Sequence, residues 1–327
     1  DFNLGNSSQM VFNTWPAGAK LRFTGAAAVQ TINGLNTSTT NSGGIMEMVV
    51  DKSAGKVTTS GNNNKLTIGT SLNIISGTFE LGLADDIFGR DQTGANTQPT
   101  ITVQTGGTFL FTAGTSQINA GSGSTSGPIG KLTIFGNVEA VTTSSVGIQF
   151  NGIDVESGGI LRLLSGWSTA SFNSGVITVK SGGTLRYSTT STTFWNAAAS
   201  TVMNAGSILQ ITVSTAPTLA PTFTDNGATW RYNLVGDQTG VGISGPRTIQ
   251  NLELSGGGIK TLGAAVTVNG TLLLSETSTL SLGTASLTYG AGATLQYGNS
   301  TQVDPQTTSV NEWPTAGSVP TNLKVQN

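Results

Sequence analysis

Along this chain apolar side chains recur in pairs two residues apart, each pair preceded by small and polar residues. The pairs are Leu21/Phe23, Phe79/Leu81, Phe109/Phe111, Leu132/Ile134, Leu161/Leu163, Leu185/Tyr187, Leu209/Ile211, Trp230/Tyr232, Leu252/Leu254, Leu272/Leu274 and Leu295/Tyr297. Residues two apart share one side of an extended strand. From Leu161 onward the first members step by 24, 24, 21, 22, 20 and 23 residues. The earlier steps lengthen to between 23 and 30, as loop insertions produce, with Met46/Met48 as the filler between Leu21 and Phe79. Three stretches also share a strand, a Gly-Gly corner and a second strand: Val103 to Phe111, Val155 to Leu163 and Val179 to Tyr187. Glycine suits such a corner because tight turns commonly need a positive φ.

A unit this short cannot bury an apolar face alone, whereas stacked units share one core. The pattern therefore predicts an all-β fold, a parallel right-handed β-helix (β-solenoid) of roughly 12–14 coils, about 60 Å long at ~4.8 Å per coil. The alternative, a β-sandwich, also has frequent turns but has no reason to repeat the strand–Gly-Gly–strand unit. A single solenoid domain is expected over residues 1–327, less regular in 1–100 and regular from about 101 onward.

Composition narrows the functional classes. Gly is abundant at 45 residues, only 9% of residues are charged, and the net charge is -2. Nucleic-acid binding would need a Lys/Arg excess to neutralise phosphates, so no nucleic-acid partner is expected. With no Cys and no His, thiolate nucleophiles, disulfides and His-based acid, base or metal chemistry are excluded. No stretch reaches the ~18–20 apolar residues of a membrane span, so no membrane insertion is expected. A chain starting at Asp1 reads as a processed mature chain or a fragment.

The two ends match each other. Gly5-Asn-Ser-Ser-Gln-Met10 parallels Gly298-Asn-Ser-Thr-Gln-Val303, Asn13-Thr-Trp-Pro-Ala-Gly18 parallels Asn311-Glu-Trp-Pro-Thr-Ala-Gly317, and Phe2/Leu4 correspond to Leu295/Tyr297. The ending Asn322-Leu-Lys-Val325 repeats Asn251-Leu-Glu-Leu254. Solenoids usually carry capping units; two complementary half-coils would instead bury one another in a head-to-tail contact, which does not close and gives a filament. The expected joint residues are Phe2, Leu4, Trp15, Trp313, Leu323 and Val325. A module of a longer covalent array predicts the same joint with a peptide bond across it.

The segments Val268-Asn-Gly-Thr-Leu-Leu-Leu274, Asn251 to Leu262 and Glu312-Trp-Pro to Val325 resemble the repeats of bacterial cell-surface β-helix proteins of the adhesin and autotransporter-passenger kind. The resemblance covers most of the second half and is weaker in the first. It implies an exported, extracellular protein and transfers no catalytic residue.

The remaining candidates each have a plainer explanation. Asp85, Asp86 and Asp91 form the densest acidic cluster and suit oxygen-seeking Ca²⁺ only weakly, since their spacing is not that of an EF-hand loop and Arg90 lies among them; a solvated loop is the favoured account, and no other cofactor is expected. Asp154 and Glu156, with Arg162 and Arg186 on nearby coils, are the pair on which polysaccharide cleavage would rest. The outward row Arg162, Arg186, Gln210, Arg231 and Glu253 reads either as a contact strip for acidic glycans or neighbouring filaments, or as a solvated ladder. Trp230 stands in a Leu position and is expected in the core. The leading expectation is a non-enzymatic subunit of an extracellular filament whose partners are copies of itself. The rival is a glycan-binding adhesin or a carboxylate-dependent polysaccharide-cleaving β-helix.

Overall fold

In the computed structural model the described residues are 20–33, 45–60, 65–82, 86–89, 96–111, 118–120, 127–140, 149–164, 175–189, 200–243, 245–298, 309–314 and 318–326. They form an all-β solenoid of stacked parallel strands, grouped into two compact units. The first holds residues 1–179, 193–202 and 219–223, and the second residues 180–192, 203–218 and 224–327.

In the first unit three long strands, Ile45–Ser60, Lys65–Leu81 and Thr100–Phe111, each serve more than one face. One face stacks Leu21, Met48, Leu72, Ile101, Leu132, Ile153 and Ile177 in register. Phe23, Val50, Ile74, Val103, Ile134, Val155 and Val179 run beside them. A second face stacks Gln30, Val57, Phe79, Phe109, Val138 and Leu161, with the Phe79 and Phe109 rings 5.6 Å apart. From Met48 onward the first-face rows are buried, as are Val57, Phe79, Phe109, Val138 and Leu161.

These registers correct part of the pairing read from sequence. Leu21/Phe23 and Leu132/Ile134 belong to the first face, whereas Phe79/Leu81 and Phe109/Phe111 belong to the second. Met48 lies beside Leu21, and Val57 supplies the second-face position below Phe79. The cause is that both faces use the same apolar–any–apolar alternation, so spacing alone does not say to which face a pair belongs.

The Gly-Gly corner has two separate physical reasons. Gly158 adopts φ +81°, left-handed backbone that disfavours a side chain. At Gly159 a Cβ would lie 2.0 Å from the Ile134 carbonyl oxygen of the neighbouring turn. One glycine makes the bend and the other lets consecutive turns approach.

In the second unit the equivalent rows are Leu185, Leu209, Trp230, Leu252, Leu272, Leu295 and Leu323, and Tyr187, Ile211, Tyr232, Leu254, Leu274, Tyr297 and Val325. Trp230 is buried in its Leu position, as expected. A smaller three-stranded sheet (Gln238–Val241, Ile259–Leu262 and Thr279–Ser281) closes a further side.

Candidate functional site

The second unit's last described strand, Asn322–Val325, lies parallel to Thr294–Tyr297, with Leu323 beside Leu295 and Val325 beside Tyr297. Leu295 and Tyr297 are 0% and 5% exposed, while Leu323 and Val325 are 57% and 64% exposed. The inward positions of this strand therefore continue the core rows with nothing stacked on them among the described residues. The sequence parallel between Asn322-Leu-Lys-Val325 and Asn251-Leu-Glu-Leu254 holds in space, since Asn251, Thr271, Thr294 and Asn322 form one row.

A short 3-10 turn, Val310–Glu312, packs against the strand Thr279–Ser281. Ser309 and Glu312 form a capping box: the Asn311 N–H donates to Ser309 Oγ at 3.2 Å and the Ser309 N–H to Glu312 Oε2 at 2.6 Å. Asn311 Nδ2 donates to the Leu280 carbonyl at 2.9 Å, and the Tyr289 hydroxyl to the Glu312 carbonyl at 3.0 Å. Glu312 is fully buried. Burial, reinforced by the Glu312 charge, pushes the Tyr297 phenol up to about 12. Burial also raises the Tyr289 phenol, helped by Tyr297 and Glu312. Trp313 follows the turn and is 38% exposed. Val310, Trp313, Val319, Leu323 and Val325, all exposed, thus crowd into the last stretch of this unit. Of the expected joint residues the structure brings Leu323 and Val325 together on one strand; Phe2, Leu4 and Trp15 lie outside the described residues.

Side chains of the outward row pair with their neighbours. In the first unit Arg162 meets Glu139 at 3.5 Å. In the second, Arg186 Nε donates to Gln210 Oε1 at 2.6 Å and Arg231 meets Glu253 at 2.8 Å. Asp154 is held by Lys131 Nζ at 2.7 Å. For the acidic cluster, Asp85 and Asp91 lie outside the described residues, and Asp86 opens the strand Asp86–Gly89 without a described side chain. Among the described residues no group of three or more Asp or Glu is placed to hold a metal ion, and no helix is long and apolar enough to cross a membrane.

Among the described residues, sequence reading missed three buried charged groups: Lys52, whose ammonium donates to Gln30 Oε1 at 3.0 Å, Glu312 and Lys260. Glu312 was visible only as Ser309-x-x-Glu312, a capping-box spacing. Lys260 gave no signal. Its ammonium is buried and donates to the Leu234 and Gly236 carbonyls, both at 2.7 Å. Burial lowers its pKa to about 8, opposed by the nearby Asp237 and Glu276 carboxylates. Gln238, its register neighbour, likewise donates inward to the Ile211 and Val213 carbonyls at 3.1 and 2.8 Å.

Comparisons with protein-family models, with curated proteins and with solved structures return no match.

Proposed function

We propose that this chain is a non-enzymatic structural subunit of an extracellular filament, in which copies stack end to end through their terminal rungs. One observation carries the reading: Leu323 and Val325 continue two buried core rows yet stand more than half exposed, on a strand whose outer edge has no partner among the described residues. An exposed edge with apolar inward positions is a template for another strand. A heterologous contact of this kind propagates into a filament instead of closing. The sequence parallel between residues 5–18 and 298–317 supports a joint between like turns of two copies, and the resemblance to bacterial surface β-helix proteins supports an extracellular setting. The glycan-binding or glycan-cleaving alternative gains little support, because Arg162, Arg186, Arg231 and Asp154 each have a neighbouring side-chain partner.

Electron microscopy of native material tests the proposal, together with intact mass under denaturing conditions. Fibres built from separate chains of about 33.3 kDa are expected. Discrete rods that release sugar fragments would favour the rival, and a much heavier denatured polypeptide would replace the assembled joint with a covalent one.

A further inference from the structure

Inside the second unit one corner is built differently from the corner beneath it. Leu274 stacks on Leu254 and Thr279 on Ile259, so Ser275-Glu-Thr-Ser278 lies over Ser255-Gly-Gly-Gly258. Gly256 and Gly257 have φ +81° and +70°, and Glu276 and Thr277 above them have φ +53° and +57°. Left-handed backbone at two consecutive central residues is that of a type I′ turn. Here it is closed by the Ser278 N–H, which donates to the Ser275 carbonyl at 3.1 Å. The lower turn meets the demand with glycine. The upper one places a glutamate and a β-branched threonine there, a strained choice that persists only where the surroundings fix it. Glu276 supplies one such tie, its Oε2 accepting the Gly256 N–H at 2.5 Å.

The inner side of the same turn carries two hydroxyls. Ser275 and Ser278 are both 0% exposed, and neither Oγ has a hydrogen-bond partner among the described residues. The two residues frame the turn, so their Cα atoms lie within about 7 Å of one another, and paired Cβ atoms across such a turn are about 4.5–5.5 Å apart. That is the separation one water spans with two hydrogen bonds of about 2.8 Å. Gly258, beneath Ser278, brings no side chain into the corner. A buried hydroxyl left without a partner is costly, and internal waters are the usual remedy where about two to four polar groups converge.

We infer that a single buried water molecule bridges Ser275 Oγ and Ser278 Oγ and closes this turn from the inside. The ligand is neutral because the same stack of corners already holds a cation. Lys260 lies in register with Leu280, two residues beyond Ser278, and its ammonium is bound by the Leu234 and Gly236 carbonyls. The water is thus the inner counterpart of the Glu276 tie, and the two together hold Glu276 and Thr277 in left-handed backbone. This inference is independent of the end-to-end reading.

A high-resolution crystal structure of the chain tests it, together with equilibrium unfolding of Ser275→Ala, Ser278→Ala and the double variant. Density within about 2.6–3.2 Å of both hydroxyls is expected. Each single variant should lower the folding equilibrium constant about fivefold, the size of one net hydrogen bond. The double variant should lose much less than the product of the two, because both hydroxyls serve one water. Unbridged hydroxyls predict the opposite sign, since alanine would relieve an unmet polar group. Variants more stable than the wild type, losses that simply multiply, or a wild-type structure without density between the hydroxyls would overturn the inference. Exchanging choline chloride for sodium chloride at equal ionic strength should leave the unfolding midpoint unchanged; a rise in sodium would overturn water in favour of a metal cation.

Discussion

Leu272 and Leu323 occupy the same row of the second unit, yet one is fully buried and the other is 57% exposed. Truncating each to Ala should separate folding from assembly. For Leu272→Ala, the lost transfer energy and the cavity left between Leu252 and Leu295 together cost about 2–5 kcal/mol. For Leu323→Ala there is no enclosed cavity and less than half of the burial to lose, so the cost to the dispersed chain is about 1 kcal/mol or less. Stacking a second chain would bury the exposed remainder of Leu323, about 1–1.5 kcal/mol of a full leucine's 1.5–3. Leu323→Ala should therefore weaken each joint by roughly tenfold. Leu323→Asp also places a carboxylate without a partner in the contact, at a further ~3 kcal/mol or more, and should abolish fibres at concentrations where the wild type assembles. Denaturant midpoints of dispersed chains and light scattering against concentration measure the two quantities. Equal destabilisation of the dispersed chain by both alanine variants, or unaltered scattering for Leu323→Asp, would refute the reasoning.

Other perturbations have equally definite expected outcomes. Because the folded-state pKa of Lys260 is lowered to about 8 from 10.5, the folded chain gives up this proton while the unfolded chain still holds it. Its contribution to stability therefore rises between about pH 8 and 10.5; melting temperature should climb over that window in the wild type and less so in Lys260→Met. The buried tyrosines act oppositely: Tyr289 and Tyr297 keep their protons where unfolded tyrosines ionise, so stability should fall once pH passes about 10. Gly159→Ala forces a Cβ to 2.0 Å from the Ile134 carbonyl oxygen and should cost about 1–3 kcal/mol in a denaturant titration. Glu253→Gln removes a partly buried ion pair with Arg231 and should change stability by about 1 kcal/mol or less; a larger loss would mean that the outward row contributes to the fold.

The solenoid was legible because its core positions repeat. From Leu185 to Leu295 every pair read from the sequence is a true neighbour in register. The first hundred residues were harder to read because strands such as Lys65–Leu81 turn corners and carry two alternations within one run. The orientation of Ile259-Lys-Thr-Leu262 was not legible at all. Hydrophobicity favours Ile259 inside, yet Ile259 is 48% exposed and Lys260 faces inward. The corner carbonyls of Leu234 and Gly236 need donors, and an ammonium on a long apolar stem satisfies both. Such a choice depends on backbone groups some twenty residues away, which local patterning does not reveal. At the candidate joint, the match between Asn322-Leu-Lys-Val325 and Asn251-Leu-Glu-Leu254 could be read directly, whereas the exposure of Leu323 and Val325 required coordinates.

The successive registers of the second unit also govern how it would yield to force. Among the described residues each turn there is fastened to the turn above and the turn below, by ladders spaced 20 to 23 residues apart from Leu209 to Leu295. A probe drawing chain away from Val325 would meet one ladder at a time and free about 70 Å of extended polypeptide per turn at ~3.3 Å per residue. Extension would then proceed as a regular sawtooth, each tooth marking the detachment of a single turn and dissipating work without breaking a covalent bond.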